Sequence, residues 1–272
     1  MSDAATVTVR DQTGYAVTVA TAPQRLVSLV PSQSELLWDL GVRERLVGCT
    51  RYCVHPDELR DTCTVIGGSK RFNIDAIMAL QPDLVLANKE ENERVAIERL
   101  RELVPTWTSD IVTFRDAMAM ISAVGHLCGA ADAAAALNAR IERDWQALPT
   151  AGGERVAYLI WRKPYMAVAT DTFIDGVLAR LGFRNVFADR GRYPETSLDE
   201  LARLAPQRVY LSSEPYPFDE RHIAEVQAAL PECRIDLVDG EMFSWYGSRL
   251  ALAPRYFQRL LAADGAALEE AL

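Results

Sequence analysis

The sequence predicts an α/β protein of two lobes, each built on a parallel sheet, joined by a single long backbone helix. Short apolar strands alternate with capped helices along the chain, which is the pattern of such sheets. The segment from position 73 to 87 recurs at 197–211, and an alanine-rich stretch over roughly 130–148 lies between the two copies. We therefore expect an N-terminal lobe at 1–128, a backbone helix at 129–150 and a C-terminal lobe at 151–272.

The first elements follow from local patterns. "VTVRDQTGYAVTV" alternates around Gly14 and predicts a β-hairpin. "RLVSLV" predicts a buried strand, and "PSQSELLWDLG" predicts a helix that begins with a capping box of Ser32 and Glu35 and stops at Gly41. "RLVGC" predicts the next strand.

The repeated segments predict a second type of unit. "NIDAIMALQPDLVLAN" reads as a helix capped by Asn73 and followed by a strand at 84–87, and "SLDELARLAPQRVYL" reads the same way from Ser197. Between the copies, 113–148 is predicted to be helical with interruptions only near Gly125 and Gly129. Strands resume at "ERVAYLI".

Charge and hydropathy restrict the partners. The chain carries 38 acidic and 29 basic residues, a net charge of −9, with no basic run. This balance argues against nucleic acid and anionic membranes as partners. No apolar stretch approaches the roughly 20 residues of a membrane helix, so no part is expected to be membrane-embedded. "MSDAATVTVR" has no basic or apolar leader pattern, which predicts a cytoplasmic protein as encoded.

The five cysteines argue against a disulfide framework because their number is odd. Three of them, with His55, lie within fifteen residues and raise the question of zinc. Their C-x3-C-x-H spacing matches no standard zinc motif, so we expect small buried thiols and no metal, with His55 as the remaining metal candidate. The cysteines are Cys49, Cys53, Cys63, Cys128 and Cys233.

Aromatic and cationic side chains gather in the loops that follow the predicted strands. Ligands bind at the carboxyl ends of strands in open α/β sheets. An acidic protein with such loops is expected to bind a bulky, flat or amphiphilic ligand with anionic groups. The candidate ligand-binding residues are Arg51, Tyr52, Lys70, Arg71, Lys89, Trp161, Arg162, Tyr165, Tyr193, Phe243, Trp245, Tyr246 and Arg249.

The stretch "DGEMFSWYGSRL" at 239–250 leaves two alternatives open, since its aromatics can form either the wall of a binding site or a buried corner of the core. Enzyme signatures are lacking: there is no GxSxG, HExxH, P-loop or GxGxxG. His126 is expected to pack on an apolar helix face and His222 to be solvated. His55, with Glu90 or Glu91, is the only acid–base or metal pair that the sequence suggests.

The segment "PQRLVSLVPSQSELLWDLGVRERLVGC" resembles the helical-backbone substrate-binding proteins of ABC importers, which bind cobalamin and ferric siderophores. The matching positions are Pro23, Arg25, Ser32, Glu35, Leu40, Gly41, Val47 and Gly48. The resemblance implies two Rossmann-like lobes of chelatase-like type, binding without covalent chemistry, and a monomer without an intrinsic cofactor. It also implies a corrinoid or ferric chelate in an interlobe cleft and a periplasmic setting.

In that family one acidic residue per lobe docks onto the permease, which implies Glu35 in the first lobe and Asp199 or Glu200 in the second. The segments "NKEEN", "IWRKPY" and "SSEPYPF" are similar to a leaderless branch of the family. The alternative function is therefore a cytosolic tetrapyrrole- or metal-handling protein or a chelatase-like enzyme.

Overall fold

The structure, a computed structural model, describes residues 6–262; the outer ends of the two expected lobes lie outside these residues. The described chain divides into two compact units. The first comprises 6–111, 115–142 and 245–251, and the second comprises 112–114, 143–244 and 252–262.

The first unit contains the predicted hairpin, confirmed as an antiparallel pair, and a five-stranded sheet that is parallel throughout, in the order β5-β4-β3-β6-β7. Strands β3 and β6 are fully buried at its centre, which explains their continuous apolar sequences. The elements are β1 (Thr6–Arg10), β2 (Ala16–Ala20), β3 (Leu26–Ser28), α1 (Pro31–Asp39), β4 (Leu46–Cys49), α2 (Leu59–Thr62), β5 (Thr64–Val65), α3 (Ile74–Ala79), β6 (Leu84–Asn88), α4 (Arg94–Arg101), β7 (Thr106–Ser109), α5 (Phe114–Leu127) and α6 (Ala131–Gln146).

The second unit has a mixed sheet in the order β11-β9-β8-β12-β13, with β10 also paired to β8. Its elements are β8 (Arg155–Trp161), β9 (Tyr165–Ala167), α7 (Phe173–Arg180), β10 (Arg184–Asn185), β11 (Glu195–Thr196), α8 (Leu198–Leu204), β12 (Arg208–Ser212), α9 (Glu220–Ala229), β13 (Arg234–Val238), α10 (Gly240–Ser244) and α11 (Ala253–Ala262). The expected parallel pairing holds for β8, β10, β12 and β13, whereas β9 and β11 are antiparallel. The short turn from β8 to β9 allows only an antiparallel return.

The internal repeat is confirmed by strand order, since β4-β3-β6-β7 in the first unit corresponds to β10-β8-β12-β13 in the second. The matched helices α3 and α8 begin alike. The side chain of Asn73 accepts from the Ala76 amide at 3.1 Å, and Ser197 accepts from the Glu200 amide at 3.2 Å. These are the caps that the sequence predicts.

The predicted capping box of Ser32 and Glu35 is wrong. Helix α1 begins at Pro31, and Val30 is its N-cap without a side-chain hydrogen bond. Proline is favoured at the first helical position because its missing N–H is not needed there. The earlier start places Ser32 and Glu35 within the helix, where they cannot cap it.

The predicted helix interruption near Gly125 also differs from the structure. Gly125 does not interrupt α5; the break lies beyond it, where Gly129 has φ +67°. A Cβ at Gly125 would overlap the Ala134 methyl of α6, so the glycine permits close helix packing. Helix α6 is one continuous helix of 16 residues, and the boundary between the units falls after Glu142.

Candidate functional site

The loop that follows β5 folds back tightly next to the loop that follows β4. The Arg51 amide donates to the Gly67 carbonyl at 2.8 Å, and the Gly68 amide donates to the Arg71 carbonyl at 2.9 Å. Gly67 has φ +123°, and a Cβ there would lie 2.7 Å from the Arg71 carbonyl oxygen. Only glycine fits this position, and the fold of the loop brings the two predicted residues Arg51 and Arg71 together.

A cavity of about 580 Å³ opens beside these loops in the first unit. Within residues 6–262, none of its three arginines, Arg51, Arg71 and Arg99, forms an ion pair, and Asp75 is the one acidic group in its lining. The lining therefore carries a local positive charge suited to an anionic group. The full lining is Arg51, Ile66, Gly67, Arg71, Phe72, Asn73, Ile74, Asp75 and Arg99.

Two further predicted residues flank this cavity on the same loops. Tyr52 is 55 % exposed, and Lys70 is exposed with no ion pair within the described chain. Sequence reasoning missed Arg99, because it belongs to helix α4 rather than to a strand-end loop.

Lys89 lies at a different cavity of about 500 Å³ and is already engaged. Its ammonium group lies 2.6 Å from the Asp110 carboxylate. Two other cations of this cavity are also paired, Arg94 with Glu98 and Arg101 with Asp11. This second cavity therefore offers less unpaired positive charge than the first.

The second unit presents a partly exposed indole at the end of β8. Trp161 is 40 % exposed, and its ring meets the Tyr216 ring edge-on at 5.8 Å. Tyr216 in turn packs edge-on against Phe218 at 4.7 Å. Trp161 thus packs against an aromatic cluster, and its exposed part can stack against a flat ligand.

The predicted cation Arg162 has a carboxylate partner. Its guanidinium donates to Glu225 at 3.1 and 2.5 Å, and the Tyr165 hydroxyl donates to the same carboxylate at 2.6 Å. The hydrogen bonds from Arg162 hold the pKa of Glu225 below its ordinary value, and burial raises the pKa of Tyr165 to about 12. A ligand would therefore meet a neutralised pair at Arg162. Tyr193 is half-buried with the Arg192 guanidinium 5.6 Å from its ring centre.

The aromatic stretch at 239–250 divides between the two units. Phe243 is fully buried and meets the rings of Tyr158 at 5.0 Å and Phe257 at 4.8 Å, so its predicted ligand contact is wrong. Trp245 is 9 % exposed and lies against His55 at 5.5 Å, within the first unit. The Tyr246 hydroxyl donates to Glu91 at 3.0 Å. For Phe243 the core alternative holds; ligand contact by Trp245 and Tyr246 stays a prediction.

Arg249 and Glu35 are partners of each other. Arg249 donates to the Glu35 carboxylate at 3.0 and 2.8 Å, and both side chains are less than 10 % exposed. Burial raises the pKa of Glu35, while the hydrogen bonds from Arg249 act in the opposite direction. A buried, paired carboxylate is not available for docking and a buried, paired guanidinium is not available for a ligand, so both predicted roles are corrected.

The histidines also differ from expectation. His126 is exposed, whereas His222 is 7 % exposed. The imidazole Nδ1 of His222 accepts from the Asp219 amide at 2.9 Å, and Nε2 lies 3.1 Å from the Tyr216 hydroxyl. His222 is thus a capping and packing residue of α9. The positions of both residues depend on tertiary packing, which the polarity of their sequence neighbours did not reveal.

Three cysteines cluster at the end of β4. The Cys63 thiol lies 2.9 Å from Cys49, and Cys53 lies 3.1 Å from the Ser34 hydroxyl. His55 does not join them but packs on Trp245. Within residues 6–262 no group of three or more His, Cys, Asp or Glu side chains has a geometry that could hold a metal ion. In the same part of the chain no helix is long and apolar enough to cross a bilayer.

Two α/β units whose strand-end loops carry exposed aromatic and cationic side chains are typical of a ligand-binding protein. The chain belongs to the periplasmic binding protein family, which matches residues 26–230. It is 26 % identical over 215 residues to an ABC transporter substrate-binding lipoprotein of Bacillus subtilis, covering 75 % of this chain and 68 % of that protein. It is 29 % identical over 218 residues to the cobalamin-binding protein of Halobacterium salinarum, covering 75 % of this chain and 58 % of that protein.

Solved structures confirm the two-lobed α/β fold. The periplasmic vitamin B12-binding protein of Vibrio cholerae superposes with a TM-score of 0.74 at 21 % identity, covering 88 % of this chain and 97 % of that chain. The periplasmic heme-binding protein BhuT, solved with two hemes, superposes with a TM-score of 0.73 at 25 % identity, covering 87 % and 97 %. The matching family is one of binding proteins.

Proposed function

We propose that this protein binds a metal chelate with anionic groups, of the corrinoid, heme or ferric-siderophore class, and delivers it to an ABC permease. The cavity lined by Arg51, Arg71 and Arg99 carries this proposal, because three guanidiniums without ion pairs in the described chain surround a space of about 580 Å³. Ligand pockets typically measure about 300–1,000 Å³. The names of the cobalamin-binding and heme-binding relatives support the ligand class.

The second unit supplies a different kind of contact. The exposed face of Trp161 matches a flat macrocycle or an aromatic chelating group. In the first unit, the arginines of the cavity match carboxylates, a phosphate or catecholate oxygens.

Titration with cyanocobalamin, hemin and a ferric siderophore, followed by tryptophan quenching and equilibrium dialysis, tests the proposal. We expect saturable one-to-one binding of at least one of the three. The double variant Arg51→Gln/Arg71→Gln should weaken it about a hundredfold or more, because charge-assisted hydrogen bonds contribute about 1.5–3 kcal/mol each. Lys89→Gln is the matched control and should leave affinity unchanged, since Lys89 is paired with Asp110. Failure of all three ligands to bind would contradict the proposal.

For the permease contact we propose Asp75 and Asp199. These residues occupy equivalent positions of the repeat, each in the first turn of a short capped helix, and both are exposed. Glu200 is less suited because its carboxylate accepts from Arg190 and from the Thr196 hydroxyl. Asp199→Lys should abolish stimulation of the permease ATPase without altering ligand affinity. Asp75→Lys should also abolish stimulation, but it adds positive charge to the lining of the arginine cavity and should strengthen binding of an anionic ligand. Asp132→Lys, a change of an exposed first-turn carboxylate of α6, should preserve stimulation.

We also propose an extracytoplasmic location, because the family is periplasmic and the Bacillus relative is a lipoprotein. Fractionation of the native host with compartment marker enzymes tests this location. Recovery of the protein with cytoplasmic markers would contradict it and favour the tetrapyrrole-handling alternative.

A further inference from the structure

The cysteine cluster of the first unit contains a pair of thiols that nearly touch. The sulfurs of Cys49 and Cys63 are 2.9 Å apart, closer than an ordinary non-bonded sulfur contact. Cys49 ends β4, and Cys63 directly precedes β5, which pairs in parallel with β4. In the register of this strand pair Cys49 lies opposite Val65, and Cys63 comes two residues before Val65. The sulfurs would have to come about 0.9 Å closer to reach the bonding distance of about 2.05 Å.

We propose that Cys49 and Cys63 form a reversible disulfide that closes the intervening segment into a covalent ring. This inference does not depend on the identity of the ligand. The closed segment, 50–62, carries Arg51 and Tyr52, two of the candidate ligand-binding residues.

Accessibility and geometry select this pair among the five cysteines. Cys63 is half-buried and offers a route for an external oxidant, while Cys49, Cys53, Cys128 and Cys233 are buried. The Cys53 sulfur lies 3.1 Å from the Ser34 hydroxyl and 3.3 Å from the Thr50 hydroxyl. Hydrogen bonds, the one with Cys49 first, lower the pKa of Cys53 to about 6, but its burial withholds it from an external oxidant. The other two are isolated thiols, and burial raises the pKa of Cys128 to about 12 and that of Cys233 to about 11. The pKa of Cys49 is raised as well, by its hydrogen bonds to Cys53 and Cys63, so the proximity of the two sulfurs selects this pair.

A low-molecular-weight disulfide such as oxidised glutathione can supply the oxidising equivalents. The Cys63 thiolate attacks one of its sulfurs, which forms a mixed disulfide and releases one glutathione thiolate. Cys49 then loses its proton to the released glutathione thiolate and attacks the Cys63 sulfur, which forms the protein disulfide and releases the second glutathione thiolate. The two protein thiols lose two electrons, the small disulfide gains them, and the two protons end on the released thiols. Such a bond persists in an oxidising compartment.

Peptide mapping of the native protein after treatment with oxidised glutathione tests the proposal. Free thiols are blocked, and the chain is cleaved with trypsin. Arg51, Arg60 and Lys70 provide cleavage points that separate Cys49, Cys53 and Cys63 onto three different peptides. We expect a link between the first and third peptides, reversed by dithiothreitol, with Cys128 and Cys233 still blocked as free thiols.

Variants define the pair. Cys63→Ser should abolish the linked peptide, and Cys53→Ser, the matched control from the same cluster, should retain it. The oxidised wild type should also melt roughly 5–10 °C higher than the reduced form, because a ring of this size constrains the unfolded chain. A link through Cys53, or a mixed disulfide that stays at Cys63 without internal closure, would overturn the proposal.

Discussion

The guanidinium of Arg249 donates two hydrogen bonds to the carboxylate of Glu35, at 3.0 and 2.8 Å, across 214 positions of sequence. Both groups are withdrawn from water, and burial raises the pKa of Glu35. The Arg249 guanidinium also lies 4.9 Å from the centre of the Trp245 ring. The pair therefore anchors the segment 245–251 to helix α1 inside the first unit.

Replacing one member of this ion pair should lower the free energy of unfolding more than replacing both. Arg249→Met leaves a buried carboxylate without its cation and should lower the free energy of unfolding by about 3–5 kcal/mol at neutral pH. The double variant Glu35→Leu/Arg249→Met should recover much of that loss, because no buried charge remains. Urea denaturation of wild type, Glu35→Leu, Arg249→Met and the double variant measures the coupling free energy between the two residues. Strictly additive losses of stability would contradict the prediction.

The pH dependence of Arg249→Met follows from the raised pKa of Glu35. A carboxyl group with a raised folded-state pKa favours the folded state most below its unfolded pKa, and that contribution is lost as pH rises through the folded pKa. Without Arg249 the pKa of Glu35 should rise further. The loss of stability of Arg249→Met relative to wild type should therefore be smaller near about pH 4.5 than at neutral pH. Thermal melts at both pH values measure this; an equal deficit would contradict it.

Glu225→Gln should show the opposite pH dependence. Hydrogen bonds from Arg162 lower the pKa of Glu225 in the folded state. A lowered carboxyl pKa contributes stability above the unfolded pKa, and this stability is lost as pH falls through the folded pKa. The variant should therefore be less stable than wild type at neutral pH and approach it below about pH 4. Melting curves across this range measure the effect, and Glu98→Gln, which alters an exposed ion pair, is the control. A stability difference between Glu225→Gln and wild type that does not change with pH would contradict the prediction.

Trp161 and Phe243 should separate ligand binding from stability. Trp161→Ala removes a 40 % exposed ring and should weaken chelate binding about two- to tenfold, since an aromatic contact contributes about 0.5–1.5 kcal/mol. Phe243→Ala opens a cavity in the buried aromatic cluster and should cost about 3–5 kcal/mol of stability. Parallel titration and denaturation of both variants distinguish the roles. A large stability loss in Trp161→Ala would mean that the indole is structural.

Gly125→Ala should destabilise the protein by about 1–3 kcal/mol, although alanine is the better helix former, because its methyl would overlap Ala134. Gly176 in helix α7 is the matched control, since a Cβ there would meet nothing closer than 3.8 Å. Gly176→Ala should raise the free energy of unfolding by about 0.5–1 kcal/mol. Equal effects of the two substitutions in denaturant unfolding would contradict the packing argument.

The sequence predicts what depends on neighbouring residues. The hairpin around Gly14, the caps at Asn73 and Ser197 and the repeat were accessible because each is specified by a short local pattern. The cluster of Arg51, Tyr52 and Arg71 was also accessible, since strand-end loops of a parallel sheet converge.

The remaining features depend on which distant residues meet. Glu35 and Arg249 were both singled out, but for separate roles, because nothing local shows that they are partners. Glu225 was missed because its contact with Arg162 spans 63 positions. Trp161 and Phe243 occupy similar aromatic loops in sequence, yet one is exposed and the other is in the core. Burial is decided by tertiary packing, which local periodicity does not contain.

The return of segment 245–251 to the first unit has a consequence for biosynthesis. Chains emerge from the ribosome N-terminus first, and N-terminal domains generally fold during synthesis. Here the first unit lacks Arg249, the partner of its buried Glu35, until the whole second sheet has been synthesised. A nascent chain stopped shortly before position 245 would hold every strand of that unit's sheet but not its last buried ion pair. Completion of the first unit therefore waits until the segment 245–251 has been synthesised.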